Sequence, residues 1–467
     1  MFSTGIARVR VLSDAVTPTY DAVIVGGGFA GLSAAVDLTA RGARVIVVEG
    51  RPRLGGRATS YRDRFTGEDV DNGQHVLFGC YRETFRFLRT IGADQDVCLQ
   101  RRLDVSYVDP YGRAIRYRCP DLPAPLHLLA GVAEWDELSV PERFASLRMV
   151  RPLIQLRRQF ASGLSCTVGG ENETARDWLV RHGQGSRLRE LLWEPLALAA
   201  LNQDAGVTAA APFARVLAEL CGPGATDSSV GVPSRPLEAL YAVPARQFVE
   251  ARGGTVWTGA AGRAAFVDGR LIGVEARRKL ITAPVLISAV PWFALSSVFN
   301  PPPSSLAPVL QRAAAMSSAP IVSVHLWFDS PVMRKPFLGL LGMTMQWAFN
   351  TRTALKPCGS HLTLVSSGAN ALVGLSNGVL IDRALSDLRS VLPPARDVAL
   401  THALVIRERQ ATFSLSPGQP ARPSSETVIR GLYLAGDWIE TGLPSTIESA
   451  VVSGHRAAEL AFRELGG

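Results

Sequence analysis

Asp21-Ala22-Val23-Ile24-Val25-Gly26-Gly27-Gly28-Phe29-Ala30-Gly31 is the stretch on which the reading of this chain turns. Ala22 to Val25 is a short apolar run of the kind that forms a buried parallel strand. It passes without a break into G-x-G-x-x-G. Leu32, Ala35, Val36 and Leu38 then recur at helical spacing until Arg41-Gly42. A second apolar run, Arg44 to Val48, closes on Glu49, about 20 residues past the glycines. Gly26 permits the tight turn, Gly28 lets backbone N–H groups approach a pyrophosphate, and Gly31 lets helix and strand pack closely. Phe29 and Ala30 open the helix, whose N-terminus offers partial positive charge to the phosphates. Glu49 accepts both hydroxyls of a ribose, which favours FAD or NAD(H) over NADP(H). These features in register specify a Rossmann-like dinucleotide site.

Two more segments choose between the dinucleotides. Arg51-Pro52-Arg53-Leu54-Gly55-Gly56-Arg57 follows Glu49, and Gly431-Leu432-Tyr433-Leu434-Ala435-Gly436-Asp437 stands near the C-terminus, ahead of Pro444-Ser445-Thr446-Ile447. Together they resemble the large flavoprotein group that holds amine oxidases and carotenoid desaturases. In that group the paired glycines, here Gly55 and Gly56, let the chain pass close to the cofactor, and the arginine, here Arg57, lies beside its phosphates. The Asp after Gly436, Asp437, binds the ribityl–phosphate part. The last helix, opening at Thr446 and Ile447, points its N-terminus at the N1/C2 edge of the flavin, where a helix dipole stabilises negative charge. The resemblance implies FAD.

With 467 residues the chain has length for two or three domains at roughly 150 residues each. The expected class is α/β: a Rossmann-like FAD-binding domain with a parallel sheet, of the glutathione-reductase type, carrying an inserted α+β substrate-binding domain. FAD-domain segments are expected at 20–95, 232–297 and 405–467, and substrate-domain segments at 96–231 and 298–404. The middle FAD segment is marked by a helix over Pro244 to Glu250 and by short strands ending at Val285 to Val290. Gly262 departs from the group, since an apolar residue is expected there near the adenine. In the substrate segments Ile321 to Phe328 reads as a strand and Pro301-Pro302-Pro303 as a rigid turn. Arg143 to Phe160 reads as a basic amphipathic helix with Leu147, Val150, Leu153, Ile154 and Leu156 on one face, kinked by Pro152. It is either a core helix with solvated arginines or a helix lying on an anionic membrane surface.

Composition bounds the rest. At 47% hydrophobic and 19% charged residues the chain can build large cores. No window reaches the roughly 18 apolar residues of a spanning helix. Net charge is +8, but the basic residues are scattered and no zinc-finger spacing occurs, which argues against nucleic acid. The six cysteines are far apart with no C-x-x-C, and the first twenty residues hold no apolar leader core. The expected location is cytoplasmic, with peripheral contact on the inner face of a bacterial membrane as a candidate.

Finer motifs narrow the family. Asp71-Asn72-Gly73-Gln74-His75, Leu192-Trp193-Glu194-Pro195-Leu196 with Ala200-Leu201-Asn202, and Thr441-Gly442-Leu443-Pro444-Ser445-Thr446 resemble the squalene-associated FAD-dependent desaturases. The resemblance extends over nearly the whole chain from Tyr20, with 96–180 and 330–400 matching least. It implies reductive dehydroxylation of hydroxysqualene to squalene in bacterial squalene and hopanoid biosynthesis, with reduced FAD giving hydride to an allylic cation. A C30 isoprenoid substrate, an unidentified electron donor and upstream pathway enzymes are the implied partners. A carotenoid or polyene desaturase, or an amine oxidase-like enzyme, is the alternative. Against the amine oxidase, Ser323 to Phe328 lacks a lysine, and the nearest, Lys335, lies beyond the strand.

Gly73 and Gln74 are expected beside the flavin. Two residues are candidates for the acid that protonates the leaving hydroxyl. His75 is a donor near neutral pH or a structural ring bonded to a backbone carbonyl. Glu194 is a buried acid with a raised pKa or half of an ion pair that fixes its helix. Asp71 is expected to order the Gly73 turn.

Overall fold

In the computed structural model, which describes residues 19–122, 124, 126–161, 168–351 and 360–466, the strand Ala22–Val25 is central to a five-stranded parallel sheet. Its neighbours are Val45–Val48 on one side and Val285–Ser288 on the other, with Thr255–Trp257 and Leu432–Leu434 at the edges. Every residue of the three central strands is buried, as expected of apolar runs covered on both faces. The helices Phe29–Ala40 and Ile447–Glu464 pack together beside this sheet. A Cβ on Gly31 would run into the Gly26 carbonyl oxygen, and one on Gly454 into the Ala30 carbonyl, so both close approaches require glycine. The α/β class with a parallel FAD-type sheet is borne out. Residues Met1 to Pro18, read above for targeting, and Cys166, Lys356 and Cys358 lie outside the described residues.

The second body is a seven-stranded sheet in the order Leu400–Phe413, Ser318–Phe328, Ser360–Ser366, Trp347–Asn350, Phe337–Leu340, Asp104–Val108, Ala114–Arg118. Pairing is antiparallel except between Phe337–Leu340 and Asp104–Val108. The alternation along Ser318–Phe328 divides its side chains between two faces. Val322, Val324 and Leu326 join the core under the helix Asn377–Val391. Ser323 and Trp327 face the FAD-binding segments, Ser323 beside Gly73 and Trp327 donating to Glu68 at 2.9 Å.

The expected segment boundary at 404/405 falls inside the strand Leu400–Phe413, which pairs with Ser318–Phe328 along its length. Its polar run Arg407-Glu408-Arg409-Gln410 conceals a half-exposed strand, so the crossing back to the FAD domain comes after Phe413.

The helix expected over Arg143 to Phe160 is split. Val140–Ser146 ends in a 3-10 turn, Leu147–Met149, and Val150–Ala161 continues. The break lies upstream of Pro152 because the proline ring opposes the carbonyl four residues earlier, that of Arg148. Met149, Leu153 and Leu156 are buried, but Leu147 and Ile154, grouped with the inner face above, point outward. No helix among the described residues is long and apolar enough to cross a membrane.

Candidate active site

A cavity of about 480 Å³ opens at the carboxyl ends of Ala22–Val25 and Val285–Ser288, where the strand order reverses. Gly26 to Ala30 form one wall, with Glu49, Gly55, Gly56 and Arg57 beside them, and Gly436, Asp437, Thr446 and Ile447 form another. Gly73, Gln74 and His75 line it as well. Gly31, expected among the cofactor contacts, does not. It sits behind the turn, where its work is the close packing of helix on strand.

The residues fit an FAD. Gly26 takes φ +115° and Gly55 φ +111°, backbone shapes that favour glycine. A Cβ on Gly28 would stand 3.7 Å from Gly56 Cα, so the two glycine loops face each other at backbone distance and leave a slot for a pyrophosphate. The helix Phe29–Ala40 begins at Gly28 with no side-chain cap, so its first-turn N–H groups are left for an anion. Glu49 accepts from the Gly27 and Arg51 N–H groups, each at 2.7 Å, which fixes its carboxylate at the cavity wall.

Arg57 and Asp437 bring the two ends of the chain together. The Arg57 guanidinium pairs with the Asp437 carboxylate, and also donates to the Ala411 carbonyl at 3.0 Å and lies over the Trp292 ring. Ser445 donates to the same carboxylate. The last helix opens at Thr446, whose Oγ1 accepts from the Ser449 N–H at 3.1 Å. Gly262 also lines the cavity, and a Cβ there would stand 2.9 Å from Val25 Cγ2 and 3.1 Å from Val274 Cγ1. Val25 of the parallel sheet and Val274 of a separate three-stranded antiparallel sheet occupy the place of the expected apolar side chain.

Three residues hold the cavity wall: Asn72 and Asn202, which the sequence offered only as members of motifs and with no role, and Tyr241, which it did not single out. Asn72 donates to the Arg57 carbonyl at 2.7 Å and to Glu408 at 3.0 Å, and accepts from the Thr59 N–H at 3.1 Å. Tyr241 places its hydroxyl 2.8 Å from both the Gly55 and Ala58 carbonyls while its ring stacks on Phe29. Asn202 ends its helix in the left-handed conformation and ties together Ala319, Thr412 and Gly368. An Asn closing a helix is a readable signal; the Tyr241 contact joins residues too distant in sequence to leave one.

A second, apolar cavity of about 220 Å³ adjoins the first. Phe337, Trp347 and Phe349 from the seven-stranded sheet, Met149, Val150 and Leu153, and Leu192, Trp193 and Leu196 form its walls. Six residues line both cavities: Gln74, Val76, Phe78, Ala199, Val365 and Ser367. Gln74 and Ser367 are the polar members of that set.

His75 is in place, but its chemistry differs from a protonated donor. Its Nδ1 lies 2.8 Å from the Gly73 carbonyl, which only accepts, so Nδ1 carries the proton and Nε2 is left as an acceptor. Burial pushes its pKa down to about 4, so the ring is neutral at pH 7. Glu194 is not brought to either cavity. Its Oε1 lies 2.9 Å from Arg176 Nε and 3.8 Å from Arg189 Nε, while the adjoining Trp193 and Leu196 turn inward. Asp71 accepts from Ser60 Oγ at 2.5 Å and from the Leu237 N–H at 2.9 Å, anchoring the strand before Gly73. Burial raises its pKa to about 6. Lys335 donates to Ser106 at 2.6 Å and lines neither cavity.

The profile of a family described as flavin containing amine oxidoreductase matches residues 29–461. Hydroxysqualene dehydroxylase of Zymomonas mobilis is 27% identical, over 94% of this chain and 98% of its own length. The enzyme of the same name from Rhodopseudomonas palustris is 28% identical, over 94% of this chain and 97% of its own. Among solved structures, an oxidoreductase from Methanosarcina mazei superposes with a TM-score of 0.72 at 19% identity, covering 94% of this chain and 99% of that one.

Proposed function

This chain belongs to the flavin-containing amine oxidoreductase family, and within it we propose a hydroxysqualene dehydroxylase that converts an allylic C30 alcohol to squalene. Its cofactor is FAD. The observation that carries the reading is the apolar second cavity, joined to the flavin cavity through a neck whose polar side chains are Gln74 and Ser367. A hydrocarbon bearing one hydroxyl fits this arrangement, with its chain among aromatic and aliphatic walls and its oxygen at the neck. Among the described residues no lysine lines this neck, which favours the isoprenoid reading over the amine oxidase alternative.

Reduced FAD supplies the hydride when bound. The chain's own residues hold the alcohol and exclude water. The Gln74 amide and the Ser367 hydroxyl donate to the leaving oxygen, which weakens its bond to the allylic carbon. His75, neutral and held by Gly73, orients a bound water by accepting one of its hydrogens at Nε2. The water's other hydrogen points at that oxygen, and the proton it passes on is replaced from hydronium or a buffer acid in solvent, so the water is regenerated. Apolar walls keep bulk water from a cation that would otherwise return to alcohol. The balance is one hydride and one proton consumed, with one C–O bond exchanged for a C–H bond and water released. An electron donor must reduce the flavin between turnovers, and an upstream enzyme supplies the alcohol.

An anaerobic single turnover tests this. The bound flavin is photoreduced, hydroxysqualene is added, and flavin absorbance is followed alongside lipid extraction. The expected result is flavin reoxidation matched by squalene. A flavin that stays reduced with substrate present rejects the reading, and new double bonds formed by the oxidised enzyme on C30 or C40 polyenes would replace it with a desaturase.

A further inference from the structure

The helical wall of the apolar cavity is also an outer surface of the protein. Met149, Val150 and Leu153 line the cavity from within. On the opposite side of the same helical run Phe144 is 66% exposed, Leu147 44% and Ile154 42%, with exposed Val140 alongside. The neighbouring helix Leu126–Ala133 repeats the arrangement, with Leu128 and Leu129 inward and Leu126 exposed. Large apolar side chains gathered on one exposed face mark an interaction surface.

Arginines are interleaved with them. Phe144, Leu147, Arg148, Arg151, Ile154 and Arg158 follow helical spacing along one exposed face. From Arg143 to Phe160 there are five arginines and no Asp or Glu. Arg148, Arg151 and Arg158 have no carboxylate partner among the described residues. The acids just upstream are engaged elsewhere: Glu142 caps its helix through Ser139, Glu137 pairs with Arg113 and Arg187, and Asp136 pairs with Arg143. A helix that faces only water is ordinarily laced with opposite charges at i, i+4. Here apolar bulk and unneutralised cations share a face, the composition that suits the headgroup layer of an anionic bilayer. Arginine stems lie along apolar surface while their heads reach phosphates.

We propose that Phe144, Leu147 and Ile154, with Arg148, Arg151 and Arg158, dock this protein on an anionic lipid surface, placing the wall of its apolar cavity against the membrane. A hydrocarbon dissolved in the bilayer is then separated from the cavity by this helical wall alone. The docking claim stands on the outer face alone and holds whichever isoprenoid fills the cavity.

Flotation of the full-length holoprotein with lipid vesicles tests it. One vesicle is phosphatidylcholine alone and the other an equimolar mixture with phosphatidylglycerol. The holoprotein is expected to float with the mixed vesicles and far less with the neutral ones, and raised salt should weaken it. A basic residue near an anionic surface is worth about fivefold in partitioning, so the triple variant R148Q/R151Q/R158Q should lose on the order of a hundredfold. F144S/I154S should also weaken binding, and both variants should keep flavin absorbance and melting temperature. Equal flotation with both vesicles, flotation of the arginine variant at the wild-type level, or none with either vesicle overturns the proposal. So does a dimer that F144S/I154S dissolves in the absence of vesicle binding.

Discussion

Arg57 and Asp437, 380 residues apart, pair across the flavin cavity. One follows the second strand of the parallel sheet and the other follows its last, so the pair fastens the first and final segments of the FAD domain. Asp437 is buried and Arg57 largely so. Removing the cation leaves a buried carboxylate with the Ser445 hydroxyl but without its ion-pair partner, a loss of about 3 kcal/mol. Arg57→Gln is expected to lower stability by that order in urea denaturation and to lower the flavin-to-protein absorbance ratio after gel filtration. Arg57→Lys should recover little, because one ammonium cannot span Asp437 and the Ala411 carbonyl as the guanidinium fork does.

Gly31 and Gly42 separate close packing from backbone shape. Gly31→Ala drives a methyl group into the Gly26 carbonyl, which overpacks the helix against its strand and costs about 1–3 kcal/mol. The purified variant should melt lower and hold less flavin. Gly42→Ala meets nothing within 4 Å, although its φ of +88° strains the new residue. It should lose a similar or smaller amount of stability and keep its flavin.

Ala199 lines both cavities at their neck. Ala199→Phe should obstruct the neck while sparing the glycine loops. The expected outcome is a yellow, folded protein whose single-turnover rate with hydroxysqualene falls by at least about tenfold, about 1.4 kcal/mol in the barrier. Unchanged turnover would place the substrate elsewhere.

Glu194→Gln breaks the ion pair with Arg176, a partly exposed interaction worth about 0.2–1 kcal/mol. Turnover should stay within about twofold of wild type. The proton-donor role weighed for this residue requires a far larger loss, so rate and melting curve together decide between acid and tether.

His325 gives stability a pH dependence of defined sign. It is buried against His361 and Thr363, and burial, reinforced by His361, holds its pKa down to about 3. The unfolded ring takes up a proton below about 6.5, whereas the folded one does so only near pH 3. The unfolded state therefore binds more protons across that window, and stability falls as pH drops through it. Urea midpoints between pH 7.5 and 5 should show this slope, and His325→Asn should flatten part of it.

The sequence by itself determined the nucleotide half of this protein. Strand, glycine turn, helix and Glu49 are contiguous, and local backbone rules force them into one shape before any distant contact forms. The Gly436-Asp437 strand and the Thr446 helix are legible for the same reason. Tertiary structure alone decided what lies over them. Tyr241 under the Gly55 loop, Val25 beside Gly262, and Gln74 and Ser367 lining one neck are meetings of segments more than a hundred residues apart, which no local periodicity encodes. It also decided chemistry that residue type leaves open. Glu194 found Arg176 outside the cavities, and His75 was set neutral by burial and by the Gly73 carbonyl. Protonation and partnership depend on which groups surround a side chain in space, and packing supplies those groups.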